Sequence, residues 1–278
     1  MDKERLLIIT NGNYNASLIL NKTISEYKNN IVGVIVVSGD YKGRTGLKSL
    51  YELSKITTLP YIIYKLFNYV IFKFVQKSFP KVKFSVEAYT REFKIPIHHA
   101  TTIKSKGAID FIKNLRPDLV ISVSCPQLIG EKILTIPKFG GINIHASLLP
   151  SYAGLAPYYW VLSNGELETG ITVHYMTSKF DQGNILTQRK LSIEPHMNSF
   201  RLFYNLSILG SEALFESVNK VFDRETGVVQ DLSKYSYFSN PNNKSYKSLR
   251  DNGHRLINLI EFFKTIQVEI IKRKSLPG

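Results

Sequence analysis

The run Ile31-Val-Gly-Val-Ile-Val-Val37 contains no polar side chain. A strand of this kind has no face to give to water, so it belongs inside a sheet covered on both sides. The shorter run Arg5-Leu-Leu-Ile-Ile-Thr10 reads the same way and ends at Asn11-Gly12-Asn13, a tight-turn signal. Between the two, Ala16 to Tyr27 has helical spacing. Apolar strands alternating with helices predict a parallel sheet in an α/β domain. The pattern resumes downstream. Strands are expected at Ile95–His98, Asp118–Val123, Gly141–His145, Thr169–Tyr175 and Asn184–Ile193. Helices are expected at Ser105–Asn114, Ala156–Leu162 and, long and amphipathic, Asn198–Phe222. After Gly227 the pattern weakens. Ser233 to Tyr246, rich in Ser, Tyr, Asn and Lys, reads as an irregular tail, with a final helix over Leu256–Ile271.

A chain of 278 residues, 44% hydrophobic, can bury a substantial core as one large domain or one domain with an appendage. Its only cysteine, Cys125, permits no intrachain disulfide and fits a reducing compartment. The opening Met1-Asp-Lys-Glu-Arg carries two acids and lacks the basic and apolar regions of a signal peptide, so a cytoplasmic location is expected. The net charge of +14 favours anionic partners. Paired zinc-finger cysteines and basic heptads are absent from the sequence, which argues against the common DNA-binding modules.

One segment interrupts the alternation. Between Glu52 and Glu87 there is no acidic residue but there are six lysines, Lys55, Lys65, Lys73, Lys77, Lys81 and Lys83. Within it, 59–79 reads as an amphipathic helix. Lys65, Asn68, Lys73, Gln76 and Lys77 share one half of the wheel, and Phe67, Val70, Ile71, Phe74 and Val75 the other. Three interior lysines argue against a spanning helix. The apolar half either packs on its own domain or a second subunit, as most such faces do, or meets an anionic membrane at the inner face. Packing is the favoured reading.

The densest polar information lies in Gly140–Trp160. Asn143 and His145 alternate with Ile142 and Ile144, so in a strand they project to the same side. They do so near the carboxyl end of an α/β strand, where ligands bind. Pro150, Gly154 and Pro157 then give the following loop a fixed shape. Downstream, the strand Gly170–Met176 runs into Thr177–Gly183, which places Asp181 in a turn. Taken singly, each of these residues reads as structural. Their combination and order form a specific pattern.

Asn143-x-His145-x-Ser147-Leu-Leu-Pro150, then Gly154, Pro157 and Trp160, then Gly165-Glu166, Thr169-Gly170-x-Thr172 and Asp181-x-Gly183 resemble the folate-dependent formyltransferases. The family includes methionyl-tRNA formyltransferase, glycinamide ribonucleotide transformylase and the sugar N-formyltransferases. The match runs from about Ile121 to Leu191, a quarter of the chain. The resemblance implies an α/β, Rossmann-like, mostly parallel sheet with helices on both faces, here with a helical basic insertion and an irregular C-terminal tail. The expected domains are a catalytic one over 1–225, with the insertion at about 42–83, and an extension over 226–278.

The resemblance also implies roles. Asn143 would stabilise the oxyanion formed at the formyl carbon. His145 would manage the proton between attacking amine and leaving folate nitrogen. Asp181 would orient His145 and favour its charged form. Neither a covalent intermediate nor a metal is called for, and Cys125 at a strand end suggests packing. The co-substrate implied is 10-formyltetrahydrofolate, its pterin resting on the backbone of Pro126, Gln127, Leu128 and Ile129 and of Thr177, Ser178, Lys179, Phe180 and Asp181. Ala153 and Leu155 stand where many or some relatives carry basic residues. Asn11–Ala16 only faintly resembles the phosphate loop of the purine enzyme.

For the acceptor, some 55 residues after the long helix lack the strand alternation of the barrel domain of the tRNA enzyme. The purine enzyme lacks both insertion and tail. An amino-sugar nucleotide for polysaccharide biosynthesis is the remaining expectation, with tRNA not excluded. A formyltetrahydrofolate hydrolase, a folate-binding module and a homodimer are further readings of the same residues.

Overall fold

The computed structural model describes residues 4–39 and 45–274. The expected start of the insertion, 42–44, and the outer domain bounds at 1–3 and 275–278 lie outside them. The elements run β1 (Leu6–Thr10), α1 (Tyr14–Tyr27), β2 (Ile31–Val37), α2 (Gly46–Ile56), α3 (Leu59–Ser78), α4 (Val86–Glu92), β3 (Ile97–Ala100), α5 (Lys106–Leu115) and β4 (Leu119–Val123). Then come α6 (Glu131–Leu134), β5 (Gly141–His145), β6 (Ala153–Gly154), α7 (Pro157–Ser163), β7 (Glu168–Tyr175), β8 (Ile185–Ser192), α8 (Ser199–Phe222), β9 (Tyr237–Phe238), α9 (Asn243–Asp251) and α10 (Leu259–Lys274).

Among the described residues seven strands form one sheet in the order β3-β2-β1-β4-β5-β7-β8. The first five are parallel, and β7 and β8 add on antiparallel. This is the Rossmann-like α/β arrangement expected. Strand β1 shows why both faces must be covered. Its side chains alternate, so Leu6 and Ile8 join α1, α3, α4, α8 and α10 in one apolar cluster. Leu7 and Ile9 join α5 and α6 in the other.

Capping sets several boundaries. Asn13 Oδ1 accepts from Ala16 N at 2.8 Å, so α1 begins two residues earlier than expected. Asn198 and Ser105 cap α8 and α5 in the same way. The β3 expectation is displaced to Ile97–Ala100. Pro96 has no N–H to give a ladder; its carbonyl accepts from Val34 N at 2.9 Å at the edge of the strand.

The tail is more regular than its composition suggests. It contains β9, which pairs with β6, and helix α9, closed by a reciprocal capping box between Asn242 and Ser245. Helix α9 packs on α7 through polar side chains: Ser163 Oγ donates to Ser245 O at 2.8 Å, and Asn252 Nδ2 to Ser163 O at 2.9 Å. Helix α10 is anchored by Phe262, fully buried, its ring 4.7 Å from Phe200, 5.1 Å from Phe67 and 5.6 Å from Phe72. The bond from Tyr204 Oη to Glu269 Oε1 at 2.7 Å holds its far end to α8, and Glu269 Oε2 is paired within the helix with Arg273 Nε at 2.9 Å. Phe262→Ala is expected to cost about 3–5 kcal/mol. Urea unfolding checks this; a midpoint close to wild type would mean that α10 is not part of the cooperative core.

Helix α3 forms as expected, but its apolar half divides. Tyr61, Tyr64, Phe72 and Val75 are buried, and Phe67 and Ile71 pack against the core. Val70 and Phe74 face outward, 58% and 66% exposed. On the polar half, Gln76 turns inward, donating to Val82 O and accepting from Phe84 N. The core is reached from Tyr61, Tyr64, Phe67, Ile71, Phe72 and Val75, a stripe rotated from the one the charged residues suggested.

Candidate active site

A cleft of about 1190 Å³ opens at the carboxyl ends of the central strands. Its walls come from the loop after β1 (Asn11, Asn13), the loop after β4 (Ser124 to Ile129), the end of β5, and the turn after β7. Strand order reverses between β1 and β4, the place where open α/β sheets bind ligands. Single small-molecule sites usually occupy roughly 300–1,000 Å³; this cleft lies above that range.

Asn143 and His145 leave β5 on the same side, both into the cleft wall. Antiparallel pairing sets Asn143 opposite His174 and His145 opposite Thr172. His145 Nε2 lies 2.8 Å from the Tyr152 carbonyl. A carbonyl only accepts, so Nε2 carries the proton and Nδ1 is the basic atom of the neutral ring. Nδ1 lies 3.7 Å from Asp181 Oδ2, longer than a hydrogen bond but close for an ion pair once the ring is protonated. The Tyr152 carbonyl therefore fixes the tautomer, and Asp181 offers the counter-charge.

His174 completes the cluster, and the motif reading passed over it. It is nearly fully buried, and its Nδ1 donates to the Tyr175 carbonyl at 2.8 Å. Its Nε2 lies 3.3 Å from Asn143 Nδ2 and 3.5 Å from Asp181 Oδ1. With Nδ1 protonated, the neutral ring accepts at Nε2 one of the two N–H groups of Asn143, leaving the other for the cleft. The signal was in the sequence: Gly170, Thr172 and His174 alternate on one face of a strand. The pairing of that strand with β5 was not.

Asp181 occupies a left-handed backbone conformation, φ 54°. Gln230, buried in the extension, holds it there: its Nε2 donates to the carbonyls of Asp181 at 2.9 Å and Gly183 at 2.6 Å. A side chain at Gly183 would collide with the Tyr175 carbonyl, which explains the glycine of Asp181-x-Gly183. The Gly154 N–H donates to Asp181 Oδ2 at 2.9 Å. Gly154 has φ 97° and abuts the Phe238 carbonyl, so no other residue fits.

Burial pushes the Asp181 carboxyl up, but His145 and His174, whenever their rings are protonated, and the Gly154 N–H hold it well below the usual carboxylate range. A depressed folded value adds stability that is fully present above the unfolded value of about 3.9 and is lost as pH falls toward the folded one. Asp181→Asn is expected to be destabilised by about 1–3 kcal/mol at neutral pH. The gap to wild type should narrow below about pH 4. Urea midpoints at neutral and acid pH check this; a gap that stays constant contradicts it.

Thr172 and Trp160 of the motif hold the scaffold together. Thr172 Oγ1 donates to Ser147 O at 2.6 Å and accepts from Leu149 N and Gln188 Nε2. Trp160 Nε1 donates to Ser239 O at 2.8 Å, tying α7 to the extension. Ala153 is fully buried in the β6–β9 pair, whereas Leu155 is 38% exposed at the cleft. Burial pushes the Cys125 thiol up to about 11, which suits packing and disfavours a thiolate nucleophile.

Of the residues expected to hold the folate, Pro126, Gln127, Leu128 and Ile129 line the cleft, as do Thr177, Lys179, Phe180 and Asp181. Ser178 does not. The Gln127 side chain is spent on the scaffold, accepting from Ile103 N at 3.0 Å and donating to Thr101 O at 2.9 Å. Tyr237 of the extension lies across from Phe180, their rings 6.3 Å apart on the cleft wall. The pair offers an aromatic surface that a flat ring can lie against.

A family model described as formyl transferase matches residues 4–218. A methionyl-tRNA formyltransferase of Staphylococcus epidermidis is 36% identical over 156 residues, 56% of this chain and 50% of its own. One from Geobacter sulfurreducens is 41% identical over 134 residues, 48% and 42% of the two chains. The chain thus spans about half the length of the curated relatives it matches. Among solved structures, an N-formyltransferase from Helicobacter canadensis, in complex with folinic acid and dTDP-3-aminofucose, aligns with TM-score 0.57 at 19% identity, covering 85% of this chain and 71% of that one. Phosphoribosylglycinamide formyltransferase from Bacillus halodurans aligns with TM-score 0.54 at 19% identity, covering 80% and 96%. At these identities the structural likeness speaks for the fold. The match over most of the sequence establishes membership: the chain belongs to the formyl transferase family.

Proposed function

We propose that this protein transfers a formyl group from 10-formyltetrahydrofolate to the primary amine of a nucleotide-linked amino sugar. The observation that carries the formyl-transfer reading is the meeting of Asn143, His145 and Asp181 on one wall of a cleft of about 1190 Å³. The carrier rests on the backbone of 126–129 and the turn 177–181, with Phe180 and Tyr237 beside its aromatic rings. The free N–H of Asn143 meets the formyl oxygen as the neutral amine attacks the formyl carbon and negative charge develops. His145 Nδ1 takes a proton from the amine nitrogen and returns it to the leaving folate nitrogen. Asp181 stabilises the imidazolium between those events.

Two observations support a small acceptor. The extension folds back on the catalytic domain, β9 pairing with β6 of the active-site loop, α9 packing on α7 and α10 on α3 and α8. The Helicobacter canadensis enzyme, of the same fold, holds a nucleotide-linked amino sugar. Methionyl-tRNA is the second reading, favoured by the sequence relatives. Mass spectrometry of reactions containing 10-formyltetrahydrofolate and a panel of amino-sugar nucleotides tests the assignment. A formylated sugar nucleotide is expected. Formylation of methionyl-tRNA with no sugar product would overturn it.

A further inference from the structure

Two neighbouring helices turn apolar stripes away from the protein. On α3 the outward residues are Leu59, Ile63, Leu66, Val70 and Phe74, each 40–67% exposed. Their spacing puts them on a single line, opposite the buried Tyr61, Tyr64, Phe72 and Val75. The line is about 22 Å long at the rise of a helix. On α10, Ile260, Phe263 and Ile271 are exposed by 69%, 51% and 60%, opposite the buried Phe262, Ile266 and Glu269. The two helices meet through Phe67 and Phe262. An ordinary surface helix shows water its polar face; these two show an apolar one.

The charges around the stripes have one sign. Lys65, Lys73 and Lys77 of α3 and Lys264 of α10 are exposed. Helix α3 has no carboxylate. The carboxylates of α10 are engaged on its inner side: Glu261 with Asn198 and Arg201, Glu269 with Arg273 and Tyr204.

We infer that the outer face of α3 and α10 docks the protein on an anionic lipid bilayer surface. The side chains of the stripes enter the headgroup–acyl boundary while the lysines meet lipid phosphates. No described helix is long and apolar enough to cross a membrane, so this is contact from one side. A second copy of the chain is disfavoured, because it would bring together two surfaces of the same charge sign, whereas lipid phosphates supply the opposite one. Six of the eight stripe side chains are aliphatic and offer nucleic acid neither a ring to stack on nor a hydrogen bond. The same helix also lines the cleft, through Tyr61 and Lys65.

The test is co-sedimentation of the full chain with vesicles of phosphatidylcholine alone or of phosphatidylcholine mixed with phosphatidylglycerol. Binding is expected only to the mixed vesicles and should weaken as salt rises. The double variant Val70→Glu/Phe74→Glu should partition at least about tenfold less. It should keep the wild-type thermal transition, because both side chains are already in solvent. Lys73→Glu/Lys77→Glu should lose the preference for anionic vesicles. Failure to bind the mixed vesicles, equal binding to both compositions, or undiminished binding by the Val70/Phe74 variant would overturn the inference. So would a dimer in sedimentation velocity that this variant dissolves, which would assign the face to a second copy.

Discussion

Replacing His145 with glutamine is expected to lower kcat by about 10²–10⁴-fold, the usual range for a lost general acid–base group. Glutamine can still donate to the Tyr152 carbonyl, the bond that His145 Nε2 makes at 2.8 Å. The fold and loop should therefore survive, and what disappears is the proton-accepting atom corresponding to Nδ1. The loss should fall on kcat more than on KM, because the amine proton moves only during reaction. Steady-state kinetics with a saturating formyl donor would read it. An unchanged kcat would remove His145 from the chemistry and leave Asp181 beside a structural imidazole.

The second large effect concerns Asn143. Asn143→Ala removes the amide that shares one N–H with His174 Nε2 at 3.3 Å and keeps the other for the cleft. A lost oxyanion donor typically costs about 10²–10³-fold in kcat. Asn143→Asp is the more discriminating replacement. It has the same shape but offers no N–H, and it adds a carboxylate to a site where Asp181 already lies 3.5 Å from His174 Nε2. It should be at least as impaired as the alanine variant. Near-wild-type activity of the Asn143→Asp variant, measured in the same assay, would mean that the amide acts as an acceptor or spacer instead of a donor.

The sheet was legible in the sequence because its information is local. Apolar runs such as Ile31–Val37 act within a few residues, and most expected boundaries lie within two residues of those observed. Asn143 and His145 were legible for the same reason, as neighbours on one strand. Asp181 reaches them from a distant turn, and only the pattern of a known family linked it to the strand. What failed to show depends on contacts between distant segments. His174 joins the cluster because β7 pairs antiparallel with β5, and Gln230 reaches the Asp181 turn from the extension. Neither position carries a local signal of partnership. Helix α9 was obscured by its own composition: it packs through Ser245 and Leu249 and the side chains around them, so its sequence lacks an apolar stripe. On α3 the reverse held. The apolar half was plain, but which edge of it met the core was decided by Phe262, Tyr14 and Phe84 arriving from three other segments.

The most direct test of the central claim follows the formyl carrier itself. Consumption of 10-formyltetrahydrofolate would be followed with and without amino-sugar nucleotides, for wild type and for His145→Gln. A transfer centre built from Asn143, His145 and Asp181 predicts that the carrier is consumed only when an amine is present, in step with formylated product, and that the variant loses both together. Carrier consumption at the same rate without any amine, releasing formate, would contradict transfer and make the protein a hydrolase.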